Sequence, residues 1–135
     1  MNKRILLLIV FLVFLSMFLF KNKKEVEEDK IVIAVSIPPQ SEFVEAVGGD
    51  KVKVITVVPQ GADPHTYEIS PHKLQEINRA KMFVMVGSGF DFEIMYMGKL
   101  KEMNRNMVIV NCSHGIKFID RDPHIWLSPK NAKII

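Results

Sequence analysis

The sequence has almost no cysteine: Cys112 is the only one among 135 residues, which excludes an intrachain disulfide. Cys112 follows the apolar run Val108 to Val110, so a small buried hydrophobic residue is favoured over a reactive thiol. The His-Glu-x-x-His motif of zinc hydrolases is absent, and the turn Gly87 to Gly89 lacks the pattern of a phosphate-binding loop. These absences argue against a disulfide scaffold, a zinc hydrolase and a nucleotide-binding domain.

The sequence also has little excess charge of either sign. The formal net charge is +3, and the pI near 9.0 owes much to the lysines and arginine of the N-terminal segment. From Ile31 onward, 12 basic residues oppose 11 acidic ones. A basic face for nucleic acid is therefore not expected, and nucleic acid is not a predicted partner.

One long hydrophobic run is present, the uncharged segment Ile5 to Phe20, with Lys3 and Arg4 before it and lysines after it. At ~1.5 Å per residue this run spans about 24 Å as a helix, and snorkelling lysines would extend it toward the ~30 Å hydrocarbon core. A charged start followed by an apolar run is typical of export signals. Neither an Ala-x-Ala-like cleavage site nor a cysteine for lipid attachment comes after it.

We therefore predict three regions along the chain. Residues 1–24 form a membrane anchor or signal segment, with an uncleaved transmembrane helix favoured. Residues 25–30 form a charged tether, and residues 31–135 form one small lobe outside the cytoplasm. The predicted location is thus membrane-anchored and extracytoplasmic, at the cell surface or in the periplasm.

Apolar runs and helical segments alternate along the lobe, which predicts an α/β fold with a parallel four-stranded sheet flanked by helices. The predicted strands are Ile31 to Ser36, Val52 to Val58, Met82 to Val86 and Met107 to Val110. The predicted helices are Gln40 to Val47, Pro71 to Ala80 and Phe92 to Met103. Ser70 and Ser128, each followed by proline, are typical helix caps, and Gly48-Gly49 is typical of a helix end.

Two Asp-Pro-His triplets, Asp63-Pro64-His65 and Asp122-Pro123-His124, are the most informative motifs. Each proline fixes its own φ and favours an extended aspartate before it, so each histidine leaves the backbone from a stiff loop. Both loops come after predicted strands, and ligands of open α/β sheets bind at the carboxyl ends of the strands. We predict that His65 and His124 are metal ligands; ordinary turn chemistry with surface histidines is the alternative.

Other candidate residues favour structural roles. His72 and His114 are interpreted as surface residues, and Glu93 as a structural carboxylate at the start of a helix. Trp126 is expected to pack against the lobe and fix the His124 loop. Asp63 and Asp122 either orient the imidazoles or only form turns.

Several segments together resemble one family, the zinc- and manganese-binding solute-binding proteins of ABC importers. Val57 to Glu68 is similar to the first ligand loop of that family, and Asp122 to Ala132 is similar to the second. Val86 to Gly89 followed by Glu93 resembles its glycine-containing turn, and Ile33 to Pro39 resembles its opening strand. The resemblance implies the N-terminal lobe of a two-lobed protein joined by a long helix, with the metal in the cleft.

The resemblance also implies a function, which is not enzymatic. His65 and His124 correspond to two of four metal ligands, and the other two belong to a second lobe. The metal is a bound substrate, Zn²⁺ or Mn²⁺, delivered to an ABC permease and its ATPase. The sequence Trp126-Leu127-Ser128-Pro129 slightly favours the zinc-binding members of the family. The chain is expected to be a fragment that ends at the start of the connecting helix. Alternatives are a partial gene product without activity and, less favoured, a zinc-dependent hydrolase.

Overall fold

The computed structural model describes residues 3–4, 7, 9–17, 30–119 and 122–135. The chain divides into two compact units between Lys30 and Ile31. In the first unit, residues 3, 4, 7 and 9–17 are helical. No helix in the described ranges is long and apolar enough to cross a membrane. The transmembrane helix predicted from Ile5 to Phe20 lies partly outside the described residues, and of the tether predicted at residues 25–30 only Lys30 is described.

The second unit contains a four-stranded parallel sheet, which confirms the predicted fold. Its strands in chain order are β1 (Ile31–Val35), β2 (Val52–Thr56), β3 (Met82–Met85) and β4 (Val108–Asn111). Their spatial order is β2-β1-β3-β4. Ala34 in β1 is in register with Ile55 on one side and with Phe83 on the other. The first three strands end one or two residues earlier than predicted, although the Val57 N–H still donates to the Val35 carbonyl at 2.9 Å.

Four helices flank or follow the strands. They are α1 (Pro38–Gly48), α2 (Pro71–Ile77), α3 (Asp91–Met103) and α4 (Pro129–Ala132). Two short 3₁₀ turns, Gly49–Lys51 and Ile125–Leu127, complete the regular structure of the described lobe.

The helix boundaries are explained by local chemistry. The Ser70 hydroxyl accepts a hydrogen bond from the Lys73 N–H at 3.2 Å, and the Ser128 hydroxyl accepts one from the Asn131 N–H at 3.4 Å, so both predicted caps are confirmed. Helix α1 ends at Gly48, and Gly49 comes next at a φ of 56°. Helices α1, α2 and α4 carry proline in the first turn, where the missing N–H costs no hydrogen bond.

The core lies around the two central strands and the inner faces of α2 and α3. Ala34 and Val35 of β1 are fully buried, as are Ile77 of α2 and Phe90 just before α3. Burial of both central strands explains their near-continuous apolar sequence. Cys112 is buried as predicted, and its Sγ lies 3.4 Å from the Gln40 side-chain amide. Desolvation raises the pKa of this thiol, which is consistent with a packing role.

Gly87, at the carboxyl end of β3, is a position that the fold restricts to glycine. Its φ is +73°, and a Cβ there would lie 1.8 Å from Asn111 Oδ1. We expect Gly87→Ala to lower the free energy of unfolding by about 2–4 kcal/mol, because steric overlap adds to the left-handed backbone cost of ~1–2 kcal/mol. Urea denaturation measures the loss.

Gly115→Ala is the matched control, since its φ of +80° is similar and nothing lies within 4 Å of the added Cβ. This variant should show only the backbone cost. Equal losses for the two variants would contradict the steric explanation.

Candidate metal centre

The His65 loop leaves the sheet after β2 and is braced by its own aspartate. Asp63 Oδ1 accepts the backbone N–H of His65 at 2.9 Å, and the Asp63 carbonyl accepts the Thr66 N–H at 3.3 Å. These bonds form a turn of the kind that aspartate before proline favours. The His65 side chain is exposed, and its ring and the Phe90 ring form a T-shaped contact with centroids 5.1 Å apart at 68°.

The His124 loop contains the same hydrogen bond from a histidine N–H to an aspartate side chain, and it has an additional contact between that aspartate and the imidazole. Asp122 Oδ1 accepts the backbone N–H of His124 at 2.9 Å and lies 2.6 Å from Nδ1 of the same residue. The hydrogen bond from the His124 backbone, and then the one from its imidazole, lowers the pKa of Asp122. With Nδ1 engaged by a carboxylate, Nε2 is the nitrogen left for a metal, an arrangement common around metal-binding histidines.

The two aspartates therefore differ in role. Both form turns, as one interpretation of the sequence predicted. Among the described contacts, Asp122 also reaches the imidazole of its own triplet, whereas Asp63 bonds the backbone. Orientation of the imidazole, the other predicted role, is thus seen at Asp122.

The two loops lie side by side at the carboxyl edge of the sheet. A groove of about 250 Å³ is lined by His124 and Trp126 and also by Pro64 and the segment before it. His65 lines a neighbouring cavity of about 330 Å³ with the first turns of α3. The rings of Phe90 and Trp126, with centroids 6.3 Å apart, link the histidines, because Trp126 also meets His124 edge to face at 5.3 Å. This position of Trp126 agrees with the role expected of it.

The described residues contain no group of three or more His, Cys, Asp or Glu side chains placed to hold a metal ion. Two imidazoles fill only half of a tetrahedral zinc shell. The lobe therefore presents at most a half-site, as expected if further ligands come from elsewhere. The assignment of His65 and His124 as ligands stays a prediction.

The other two histidines lie outside the two Asp-Pro-His loops. His72 is exposed in the first turn of α2, and His114 is exposed in the turn after β4. Neither takes part in a described ring contact with the two loops. Their interpretation as surface residues fits both positions.

Glu93 is a buried carboxylate that organises the same edge of the sheet. It is 2% exposed, and its two oxygens accept hydrogen bonds from the Ser36 hydroxyl, the Val86 N–H at 2.7 Å and the Gly87 N–H at 2.9 Å. Burial raises the pKa of Glu93, although these hydrogen bonds act in the opposite direction. The expected structural role is confirmed, but the sequence alone did not indicate that Glu93 joins the ends of β1 and β3 to α3.

Gln40 is a second buried polar residue, and sequence reasoning missed it. Its side-chain oxygen accepts the backbone N–H groups of Ser36 at 3.0 Å and Ile37 at 3.3 Å. The only signal available was its place just after two prolines in the first turn of a helix. Gln40 and Glu93 together fix the segment that leaves β1 at the edge where the two histidine loops lie.

Comparison with known proteins gives consistent matches for this lobe. Residues 33–135 match the family described as "Zinc-uptake complex component A periplasmic". A structure of a ZnuA deletion mutant with zinc bound is 42% identical with a TM-score of 0.71, over 78% of this chain and 43% of that one. A manganese-bound periplasmic metal-binding protein from Candidatus Liberibacter asiaticus is 27% identical with a TM-score of 0.68, over 78% and 41% of the two chains.

A relative known by sequence adds a transport context. The iron ABC transporter substrate-binding lipoprotein MtsA of Streptococcus pyogenes serotype M1 is 25% identical over 139 residues, covering 90% of this chain and 45% of its own length. The chain spans 47%, 38% and 45% of the lengths of three curated relatives, which is less than half in each case. The similarity therefore concerns one part of these relatives.

Proposed function

Because the chain belongs to the family of the periplasmic component A of zinc-uptake complexes, we propose that it captures a divalent transition metal for delivery to an ABC permease and its ATPase. The family resemblance found in the sequence is thereby confirmed. The family consists of solute-binding proteins of ABC transporters, so the prediction that the chain is not an enzyme agrees with its membership. The zinc hydrolase alternative is set aside for the same reason.

The observation that carries this proposal is the pair of braced histidine loops at one edge of the sheet. Each loop fixes its histidine backbone through an aspartate oxygen 2.9 Å from the histidine N–H. Asp122 also holds one imidazole by Nδ1 at 2.6 Å. Ligands that are held before the ion arrives bind it with less loss of conformational freedom. A second lobe would supply the remaining ligands and close the site.

Zinc is the metal that we propose first. Two imidazole nitrogens suit zinc, whereas manganese prefers oxygen ligands, and the order of divalent affinities at such sites places manganese below zinc. The matched proteins named above bind or transport zinc, manganese or iron, so the fold by itself does not select among them. The histidine pair is therefore the basis of the preference.

We place the lobe outside the cytoplasmic membrane. The charged start and apolar run of residues 1–24 support export of the lobe. One matched relative is a lipoprotein of an ABC importer, which acts in the same kind of location. The permease would then receive the metal at the outer face of the membrane.

Isothermal titration of the full chain with Zn²⁺ and with Mn²⁺ tests the proposal. We expect one zinc per chain with a dissociation constant on the order of micromolar or weaker, because two imidazoles leave the metal shell open. Manganese should bind at least about tenfold more weakly.

Two results would count against the proposal in different ways. Absence of saturable zinc binding at millimolar metal would overturn metal capture by this lobe. Nanomolar binding would contradict the half-site and would indicate closure by other means, such as dimerisation through His65 and His124.

A further inference from the structure

Phe90 lies at the point where the two histidine loops approach each other, and its backbone is held firmly. The residue is fully buried directly before α3. Its carbonyl accepts hydrogen bonds from the Glu93 N–H at 3.0 Å and the Ile94 N–H at 3.2 Å. The ring is therefore a fixed element of the core.

The Phe90 ring contacts one ring from each histidine loop, His65 in the first and Trp126 in the second. It meets His65 edge to face, with centroids 5.1 Å apart at 68°, and it meets Trp126 at 6.3 Å and 43°. Trp126 in turn meets His124 at 5.3 Å and 63°. All three separations lie in the range of attractive aromatic pairs, ~4.5–7 Å. A continuous series of ring contacts thus connects the two predicted ligands.

We propose that Phe90 and Trp126 position the imidazoles of His65 and His124 for a shared metal ion. This inference rests on the proposed function. Both histidines are exposed, so their side-chain rotamers are restricted by these ring contacts and, at His124, also by the Asp122 carboxylate on Nδ1. Metal binding must immobilise both imidazoles, and ring contacts that already restrict them reduce the loss of freedom on binding. Phe90 and Trp126 are positioning residues, since the metal would contact the histidines.

Phe92 provides a matched control. It is 2% exposed, lies in the first turn of α3 and stacks on Phe90 with centroids 6.0 Å apart at 16°. Within the described part of the chain, Phe92 makes no ring contact with a histidine or with Trp126. Phe90→Leu and Phe92→Leu therefore remove a similar buried ring, but only the first removes the link between the loops.

The first measurement needs no metal. In NMR spectra of the full chain, Phe90→Leu should shift the ring signals of His65 strongly and those of His124 by way of Trp126. The signals of the exposed His72 and His114 should stay in place. Phe92→Leu should move the His65 and His124 signals less. Unchanged His65 signals in Phe90→Leu would overturn the inference.

The second measurement compares the zinc affinity of each variant with its urea denaturation midpoint. Phe90→Leu should weaken zinc binding by about tenfold, the lower end of what residues behind metal ligands contribute. Phe92→Leu should lower the urea midpoint similarly but weaken zinc binding by less than about threefold. Trp126→Leu should lose affinity as Phe90→Leu does, while Trp126→Phe, which keeps a ring, should retain most of it.

The outcomes separate this inference from the proposed function. Equal weakening by Phe90→Leu and Phe92→Leu, in a wild-type chain that binds zinc, overturns the positioning role alone. If the wild-type chain binds no zinc, the proposed function is overturned. The positioning role is then overturned as well, even if the histidine signals respond to Phe90→Leu.

Discussion

Replacing His65 or His124 with alanine is expected to weaken zinc binding by the full chain severely. Each variant leaves one imidazole, and a single neutral ligand does not hold zinc against water at micromolar metal. The loss should exceed about a hundredfold, which places binding beyond the range of a calorimetric titration. Zinc titration of each variant under identical conditions measures the effect.

His72→Ala and His114→Ala are the matched controls. Each removes one imidazole from an exposed position of the same lobe, outside the two loops. Both should bind zinc as the wild-type chain does. Comparable losses in all four variants would mean nonspecific binding to surface imidazoles and would count against the site.

Stability should not explain the loss of binding. The His65 side chain is exposed, and that of His124 is 45% exposed, so truncation of either removes little buried surface. Circular dichroism and urea midpoints of the two variants should stay close to wild type. A large drop in the midpoint would show that the variant has lost its fold rather than a ligand.

Glu93→Leu should strongly destabilise the lobe. The carboxylate accepts three hydrogen bonds at the carboxyl edge of the sheet, two from backbone N–H groups and one from the Ser36 hydroxyl. Each buried donor left without an acceptor costs about 1–3 kcal/mol, so we expect a loss of about 3–5 kcal/mol in the free energy of unfolding. Small domains are stable by ~5–15 kcal/mol, so this variant is close to unfolding.

Glu76→Leu provides the control for that measurement. Glu76 lies in α2 and pairs with Lys73 at 2.7 Å, with both side chains partly exposed. Its removal should change the urea midpoint very little, since water replaces the lost partner. Similar destabilisation by the two substitutions would contradict the role given to the buried network.

The raised pKa of Glu93 should make the free energy of unfolding depend on pH. Burial favours the protonated form, so the folded protein retains this proton to a higher pH than the unfolded chain, whose value is near 4.5. The contribution of Glu93 to stability is therefore full below that value and falls as the pH rises through the folded pKa. As the pH rises from about 4.5 through the folded pKa, the free energy of unfolding of wild type minus that of Glu93→Gln should decrease. An increase would contradict the assigned direction of the pKa shift.

Local chemistry explains the features that could be predicted from the sequence. The strands appear as short runs of β-branched or other apolar residues, and the starts of α2 and α4 are marked by serine followed by proline. The Asp-Pro-His triplets predicted two stiff loops. In both loops the aspartate side chain accepts a hydrogen bond from a backbone N–H only two residues away. The transmembrane helix predicted from the apolar length and flanking lysines of the N-terminus stays a prediction, because part of that segment lies outside the described residues.

The missed features depend on distant parts of the chain. Ser36 and Glu93 are 57 positions apart, and the Gln40 side chain reaches Cys112 at a separation of 72. The ring contacts of Phe90 with His65 and Trp126 arise only once parallel strands bring their carboxyl ends to one edge. Sequence patterns with periods of two or four residues contain no information on such pairs, so the donors to Glu93 and the ring series required the structure.

X-ray absorption at the zinc edge of the zinc-loaded chain tests the central claim most directly, because it counts the imidazoles around the metal. We predict two imidazoles per zinc, with Zn–N distances of about 2.0–2.1 Å and oxygen in the remaining positions. His65→Ala and His124→Ala, at the higher metal concentration needed to load them, should each show one imidazole fewer. A wild-type spectrum with one imidazole or none would contradict a metal site formed by His65 and His124.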